Sequence, residues 1–220
     1  MSINSSYLNS RFIACINKDN VHTVVECGSR DGLDAIALYE YYQPEKIYAF
    51  ECNPEAIELC KENLKDYPDI KLIEKAVYNE NKEIDFYAVD MEKSIDKNIG
   101  ASSILWHRDN KVELFQKKIQ VEAIRLDTFM KEEGIDKINM LCMDVQGTEI
   151  DVFEGLGNDI SNIRYIITET CFEHYYEGDK LLGDIRKYLD EKGFNLLVCS
   201  GFIPGRRTGF TNCLFRNKRR

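Results

Sequence analysis

The segment VVECGSRDGLDAIAL, residues 24–38, constrains the fold of this chain more than any other part of the sequence. An apolar run ends at the acid Glu26, a turn with Gly28 and Gly32 follows, and apolar residues then recur at helical spacing. A strand, a glycine turn and a helix in this order are typical of α/β folds that bind a nucleotide at the carboxyl end of the strand. The segment therefore predicts a local structure and a place for a ligand.

The remainder of the chain repeats this alternation of strand and helix. The patterns predict core strands at residues 22–28, 46–52, 70–77, 138–145, 163–171, 195–202 and 211–217. They predict helices at residues 31–42, 53–67, 127–134, 148–157 and 181–194. Together these elements predict a doubly wound α/β fold with a mostly parallel, seven-stranded, Rossmann-like sheet. No helix separates the last two strands, so we expect one antiparallel edge strand.

The domain organisation is simple. The chain has 220 residues and contains no repeat, linker or low-complexity tract, which predicts one domain over residues 1–220. Residues 1–21 form a helical or extended lead-in to the first strand. Two further strand patterns, at residues 83–90 and 118–127, border an irregular insert at residues 91–118. Long loops in compact domains are uncommon and often functional, so the insert is a candidate lid.

The charge and hydropathy of the chain exclude some classes of partner. The net charge is −9, and an acidic chain repels phosphate backbones, so we expect no nucleic-acid partner. No apolar run approaches the roughly 20 residues that cross a bilayer. The N-terminus also lacks the pattern of a signal peptide. We therefore expect a cytoplasmic protein without a membrane span.

The cysteines predict no disulfide framework. Their spacing contains no C-x-x-C pair and no other metal-type pattern. Most of them lie in apolar strand patterns, where a free cysteine acts as a small hydrophobic residue. In a cytoplasmic chain we expect reduced thiols at all eight positions: Cys15, Cys27, Cys52, Cys60, Cys142, Cys171, Cys199 and Cys213.

The acids of the first turn discriminate between cofactors. A dinucleotide would bring a pyrophosphate to this turn, where Glu26 and Asp31 would repel it. Like charges a few ångströms apart cost on the order of 1–4 kcal/mol per pair. S-adenosylmethionine has no phosphate and carries a sulfonium and an ammonium, which these acids attract. Glu51, at the end of the second strand, is placed to accept both ribose hydroxyls. The turn therefore favours S-adenosylmethionine.

Several motifs resemble those of the FkbM-type methyltransferases. The segments are VVECGSRDG, YAFECNP, EKAV, RLDTFM, LCMDVQGTEIDVFEGLG and ITET, and the resemblance covers roughly residues 22–215. Its most specific element is DVQGTEIDVFEG, which is similar to the family's D-V-E-G-x-E-x-x-V-L-x-G. Glu26 stands where the family usually has aspartate, and Gln146 stands where it often has glutamate. The resemblance implies the Rossmann-like methyltransferase fold and transfer of a methyl group from S-adenosylmethionine.

The resemblance also implies which residues contact the cofactor. It places residues of the first turn against the methionine half: Glu26, Gly28, Ser29, Asp31 and Gly32. It places the remaining contacts at later strand ends: Glu51 at the ribose, Cys52 and Asn53 near the adenosine, Ala76 at the adenine region and Asp144 near the methyl group.

Methylation of an alcohol also needs a group that takes the proton of the hydroxyl. Asp144 is the first candidate for this base, and Glu149 and Glu169 lie at the same or the next strand end. Such acids would also hold Mg²⁺ through oxygen ligands, with Asp144 and Glu169 as the ligands, although we expect no metal. His107 in the insert and His174 after the fifth strand are alternative bases.

These features favour an O-methyltransferase that acts on a sugar hydroxyl of a glycan or glycolipid. The choice of acceptor rests on family analogy, and a polyketide or other secondary metabolite is the first alternative. An NAD(P)-dependent oxidoreductase and a non-catalytic cofactor-binding module are the others. Arg206 and Arg207 are candidate contacts for an anionic acceptor. The basic end at residues 216–220 leaves open that the chain is one domain of a larger glycan-modifying protein, and the oligomeric state is not predicted.

Overall fold

A computed structural model describes residues 5–108, 114–200 and 209–219 of the chain. The strands within these residues are β1 (Thr23–Cys27), β2 (Lys46–Phe50), β3 (Ile70–Ile73), β4 (Ala76–Val77), β5 (Lys82–Val89), β6 (Gln116–Ile124), β7 (Ile138–Met143), β8 (Ile163–Cys171), β9 (Phe194–Cys199) and β10 (Phe210–Asn217). The α-helices are α1 (Ser10–Ile13), α2 (Leu33–Tyr42), α3 (Pro54–Leu64), α4 (Leu126–Glu133), α5 (Glu149–Leu156) and α6 (Leu182–Glu191).

The main sheet has seven strands in the order β3-β2-β1-β7-β8-β10-β9. The first five of these are parallel to one another, and β10 runs antiparallel to both β8 and β9. The predicted doubly wound, mostly parallel α/β fold is therefore confirmed. The antiparallel strand β10 lies one place in from the edge, which β9 occupies. The carboxyl ends of β1, β2, β7 and β8 meet along one border of the sheet.

A second sheet of three strands, in the order β4-β6-β5, covers part of that border. It corrects the prediction of one continuous strand at residues 70–77. The chain turns after Ile73, where the Lys75 amide donates to the Ile73 carbonyl, and Ala76 then pairs with Ala123 of β6. Ala76 therefore belongs to the small sheet and not to the main one. The insert connects β5 to β6 and folds back on this sheet through a bridge between Ser103 and Tyr87.

The main sheet is buried on both faces. Val24 and Val25 are neighbours in β1 and point to opposite faces, and both are 0% exposed. One face packs against α4, α5 and α6, and the other packs against α2, α3 and the N-terminal lead-in. In the lead-in, short helical turns at Ser6–Leu8 and Ser10–Ile13 bury Tyr7 and Phe12 in the second layer.

The cysteine prediction is wrong at one pair. Cys199 of β9 and Cys213 of β10 form a disulfide, with their Cα atoms 4.1 Å apart. The two residues lie directly opposite each other in an antiparallel register, which the sequence does not reveal. The other cysteines are free thiols, as predicted: Cys15, Cys27, Cys52, Cys60, Cys142 and Cys171. In the parts of the chain that the structure describes, no helix is long and apolar enough to cross a membrane.

Candidate active site

A cavity of about 540 Å³ lies at the carboxyl ends of β1, β2, β7 and β8, where α/β sheets of this kind bind ligands. The insert forms part of its wall, through residues 98–104, and Ala76 of the small sheet forms another part. The predicted site residues that line the cavity are Gly28, Glu51, Cys52, Asn53, Ala76, His107, Asp144 and Glu169. Those that do not line it are Glu26, Ser29, Asp31, Gly32, Glu149 and His174.

Gly28 joins the first turn to the end of β7. Its backbone adopts φ +85°, and a Cβ atom there would lie 2.1 Å from the Asp144 carbonyl oxygen. The Gly28 amide donates to the Phe50 carbonyl of β2 at 3.0 Å. Only glycine fits a position that combines a left-handed backbone with such a close approach. The residue therefore fixes the distance between the turn and Asp144.

Glu26 lies behind this turn and is 0% exposed. One of its carboxylate oxygens, Oε2, accepts a hydrogen bond from the Ser29 hydroxyl. The other, Oε1, has no hydrogen-bond partner among the described residues. Burial raises the pKa of Glu26 to about 8, and the charge of Asp34 contributes to this shift. Glu26 is thus a buried acid with spare acceptor capacity that a nearby positive charge would ionise.

Glu51 organises the turns after β1 and β2. Its carboxylate accepts backbone hydrogen bonds from Arg30 at 2.7 Å, from Cys52 at 2.8 Å and from Asn53 at 2.8 Å. Burial raises the pKa of Glu51, and these three amides oppose the shift. A carboxylate offers about four lone-pair sites, so acceptor capacity is left for a ligand. Glu51 also lines the cavity, which gives that capacity access to a bound molecule.

Asp144 and Glu169 form a pair of carboxyl groups at the ends of β7 and β8. The Gln146 side-chain amide bridges them, since Nε2 donates to Asp144 Oδ1 and lies 3.1 Å from Glu169 Oε2. The Tyr176 hydroxyl donates to Gln146 Oε1 at 2.8 Å, which fixes the orientation of the amide. Gln146 itself adopts φ +51°, an uncommon conformation for a residue other than glycine. We call Asp144, Gln146, Glu169 and Tyr176 the acid-pair network.

The two carboxyl groups of this network share a proton near neutral pH. Burial raises the pKa of Glu169 to about 8, and the charge of Asp144 contributes to the shift. Burial also raises the pKa of Asp144, while the Gln146 hydrogen bond opposes that shift. Like charges at this distance cannot both ionise freely. Glu169 therefore carries the proton of the pair below pH 8.

The remaining candidate bases have structural partners. Glu149 is 4% exposed and accepts the Gly147 backbone amide at 3.0 Å. Burial raises the pKa of Glu149 to about 7. His174 pairs through Nδ1 with Asp179, which also accepts the backbone amides of the two tyrosines that follow the histidine. His107 lines the cavity and meets the Tyr176 ring edge to face, with ring centroids 5.1 Å apart.

The acids do not assemble into a metal site. Among the residues that the structure describes, no group of three or more His, Cys, Asp or Glu side chains is arranged to hold a metal ion. Asp144, Glu149 and Glu169 thus do not form the ligand set that the sequence left open. Arg206 and Arg207, the candidate contacts for an anionic acceptor, lie outside the described residues.

Sequence reasoning missed several residues that line the cavity. Asp34 lies in the first turn of α2, where an acid is common for local reasons. Phe210 begins β10 and stacks on Tyr175, with ring centroids 4.4 Å apart. Tyr7 reaches the cavity from the lead-in. Nothing in the local pattern around Tyr7 or Phe210 signals a ligand, because tertiary packing alone brings them to the site.

Comparison with known proteins follows the same lines as the geometry. Residues 26–196 match the family described as Methyltransferase FkbM domain. The chain is 30% identical over 159 residues to the 2-O-methyltransferase NoeI of Sinorhizobium fredii, an alignment that covers 70% of this chain and 65% of that protein. The chain therefore spans just under two thirds of this relative. It is 24% identical over 194 residues to Methyltransferase 1 of Beauveria bassiana, covering 80% of this chain and 73% of that protein.

Solved structures share the fold. The FkbM methyltransferase of Methylobacillus flagellatus matches 90% of this chain and 44% of its own, with a TM-score of 0.58 and 12% identity. M. capricolum TrmK, solved with S-adenosyl-homocysteine, matches 98% of this chain and 69% of its own, with a TM-score of 0.53 and 14% identity. At these identities the likeness establishes the Rossmann-like methyltransferase architecture of this chain and nothing more specific.

Proposed function

The chain belongs to the FkbM methyltransferase family, and we propose that it transfers a methyl group from S-adenosylmethionine to a hydroxyl group of a sugar in a glycan or glycolipid. The observation that carries the proposal is the cavity itself. One of its walls is an acidic glycine turn, and another is a pair of carboxyl groups that shares a proton. The first suits a cationic cofactor, and the second suits an acceptor that must lose a proton.

The residues present fit the cofactor. The uncompensated oxygen of Glu26 and the acids Asp34 and Asp144 suit a sulfonium and an ammonium. The spare acceptor capacity of Glu51 suits ribose hydroxyls, and Cys52, Asn53 and Ala76 line the cavity beside it as an adenosine site would require. The bound cofactor supplies an activated methyl group on its sulfonium.

The acid-pair network would manage the proton of the acceptor. An alcohol that is methylated must lose its hydroxyl proton, and a positioned base with a pKa near the working pH serves this best. Glu169 has a pKa of about 8 and lines the cavity. Gln146 holds its carboxyl group against Asp144, so both groups keep a fixed position. We assign the proton to the Asp144–Glu169 pair, with His107 as the alternative base.

Aromatic side chains support a sugar as the acceptor. Tyr175 and Phe210 stack on each other at the cavity, and Phe210 is 46% exposed. Aromatic faces and carboxylates together suit the apolar faces and the hydroxyl groups of a sugar. The 2-O-methyltransferase name of the NoeI relative agrees with a hydroxyl acceptor. A hydroxyl of a polyketide or another secondary metabolite is the alternative that the same aromatic wall would accept.

Other classes of function fit less well. An NAD(P)-dependent oxidoreductase would have to place a pyrophosphate beside the acids of the first turn. Some solved neighbours are described as RNA methyltransferases, including an rRNA methylase of Streptococcus thermophilus at 12% identity. The net charge of −9 opposes an RNA substrate. A non-catalytic module would bind the cofactor without turnover.

A transfer assay tests the proposal. The chain is incubated with S-adenosylmethionine labelled in the methyl group and with a panel of methyl glycosides and short oligosaccharides. Label on a sugar hydroxyl, located by mass spectrometry, would support the proposal, and we expect the rate to persist in EDTA. Label found only on polyketide alcohols or on RNA would replace the sugar with that acceptor. Cofactor binding without turnover on any acceptor would favour the non-catalytic module.

A further inference from the structure

We infer that Tyr7, in the N-terminal lead-in, is a further cofactor-contacting residue whose hydroxyl donates a hydrogen bond to the carboxylate of the cofactor's amino-acid end. The inference rests on the proposed function, which it deepens. Tyr7 precedes residues 26–196, the part of the chain that matches the family. The family match therefore assigns it no role.

The first observation is the position of Tyr7. The residue is 2% exposed at the protein surface, yet it lines the same cavity as Gly28, Arg30, Asp34 and Asp144. We call these five residues the acidic end of the cavity. Burial raises the pKa of Tyr7, and the charges of Asp144 and Glu26 raise it further, so the phenol lies within the field of these acids. It stays protonated and can donate.

The second observation is that the hydroxyl is not used within the protein. The hydrogen bond recorded for Tyr7 uses its backbone amide, which donates to Ser5 Oγ at 3.2 Å. No described residue forms a hydrogen bond with the phenol oxygen. By contrast, the Tyr176 hydroxyl at the same cavity is engaged by Gln146. A buried tyrosine usually finds a partner for its hydroxyl, and the cavity is the place where a ligand would supply one.

The third observation is that the lead-in is fixed in place. Tyr7 packs in the apolar layer that contains α2. Burial raises the pKa of Asp34, at the start of α2, and hydrogen bonds from the Ser5 side chain and the Ser6 backbone oppose that shift. The turn that carries Tyr7 is therefore tied to the same helix whose first residues face the cavity.

Charge identifies the ligand group that Tyr7 would meet. The amino-acid end of S-adenosylmethionine carries an ammonium and a carboxylate. The acids Asp34 and Asp144 suit the ammonium but repel the carboxylate. At the acidic end of the cavity, Tyr7 and Arg30 carry the side-chain donors, and Arg30 already pairs with Asp31 at 3.3 Å. The Tyr7 hydroxyl is thus the donor that makes this end compatible with a carboxylate.

Two ligands and two variants test the inference by calorimetric titration. S-adenosylhomocysteine contains the amino-acid end, whereas 5′-methylthioadenosine lacks it. Tyr7→Phe removes only the hydroxyl and should weaken S-adenosylhomocysteine binding about tenfold, as loss of a hydrogen bond to a charged group does. Its affinity for 5′-methylthioadenosine should not change. The control is Tyr39→Phe, because the Tyr39 hydroxyl donates to Asp69 away from the cavity.

The outcomes separate this inference from the proposed function. Equal affinities of wild type and Tyr7→Phe for S-adenosylhomocysteine would overturn the inference and leave the proposed function standing. Equal weakening of both ligands would also overturn it, because the hydroxyl would then act through the structure of the cavity. Failure of the wild type to bind either ligand would overturn the proposed function. Thermal unfolding should show the same midpoint for wild type and Tyr7→Phe, since no internal hydrogen bond is lost.

Discussion

The two walls of the cavity are held in place by different kinds of contact. The turn wall, residues 26–34 and 51–53, is fixed mainly through the backbone: Glu51 accepts three main-chain amides, and Gly28 pairs with the main chain of β2. The acid-pair network on the other side is fixed by side chains, through the Gln146 amide and the Tyr176 hydroxyl. The difference suggests separate duties, with binding of a constant cofactor on one side and handling of the acceptor proton on the other.

The largest effect is expected where the two walls touch. Gly28→Ala places a Cβ atom 2.1 Å from the Asp144 carbonyl in a left-handed backbone, so the turn or β7 must move. We expect a loss of about 2 kcal/mol or more in the free energy of unfolding and loss of S-adenosylhomocysteine binding. Chemical denaturation and calorimetric titration measure the two effects.

Gly134→Ala is the matched control for this change. Gly134 has φ +68°, but a Cβ atom there would meet nothing within 4 Å. It should lose only about 1 kcal/mol of stability and keep full affinity. If the two variants behaved alike, the contact between Gly28 and Asp144 would not connect the walls.

The next effect should separate chemistry from binding. Glu169→Gln removes the member of the acid pair that carries the shared proton, and a positioned base contributes about 10²–10⁴-fold to such reactions. We expect methyl transfer to an acceptor from the sugar panel to fall by this factor while S-adenosylhomocysteine affinity stays unchanged. The exposed Glu177→Gln is the control. A loss of affinity in Glu169→Gln would show that the walls do not have separate duties.

A smaller effect is expected from Gln146→Glu. The substitution replaces the bridging N–H donors by a third carboxylate between Asp144 and Glu169, which raises the pKa of the pair. The acidic limb of the pH–rate profile should move to higher pH by about one unit, with little change in the rate at high pH. A uniform drop in rate at every pH would mean that Gln146 has only a structural role.

The smallest effect concerns the pH dependence of cofactor binding. The pKa of Glu26 is raised to about 8, so the group is protonated at neutral pH. A cationic ligand favours the ionised form, so binding below pH 8 releases a proton and affinity rises with pH. The limit for one proton is tenfold per pH unit, and we expect a few-fold between pH 6.5 and pH 7.5. Glu26→Gln should remove the dependence, and a wild type without it would contradict the electrostatic role of Glu26.

The turn wall could be predicted from the sequence because its signals are local. Glu26, Gly28 and Glu51 follow apolar strand patterns directly, and the structure places each of them around one turn. The acid-pair network could be predicted only in part. Asp144 and Glu169 also end strands, but the bridge through Gln146 depends on a left-handed backbone and on Tyr176.

The errors have the same origin. Ala76 lies in an apolar run that looks continuous, and only pairing with β6 shows that the strand has ended. Cys199 and Cys213 become partners through the register of an antiparallel pair. Local periodicity specifies elements and their buried faces, whereas these contacts depend on how the elements meet.

The most direct test of the central claim is calorimetric titration of S-adenosylhomocysteine and of NAD into the wild type and Glu51→Gln. The account predicts micromolar binding of S-adenosylhomocysteine, a strong loss of that binding in Glu51→Gln and no binding of NAD. Binding of NAD in preference to S-adenosylhomocysteine, or no binding of S-adenosylhomocysteine at all, would contradict the assignment of the acidic turn to a cationic cofactor.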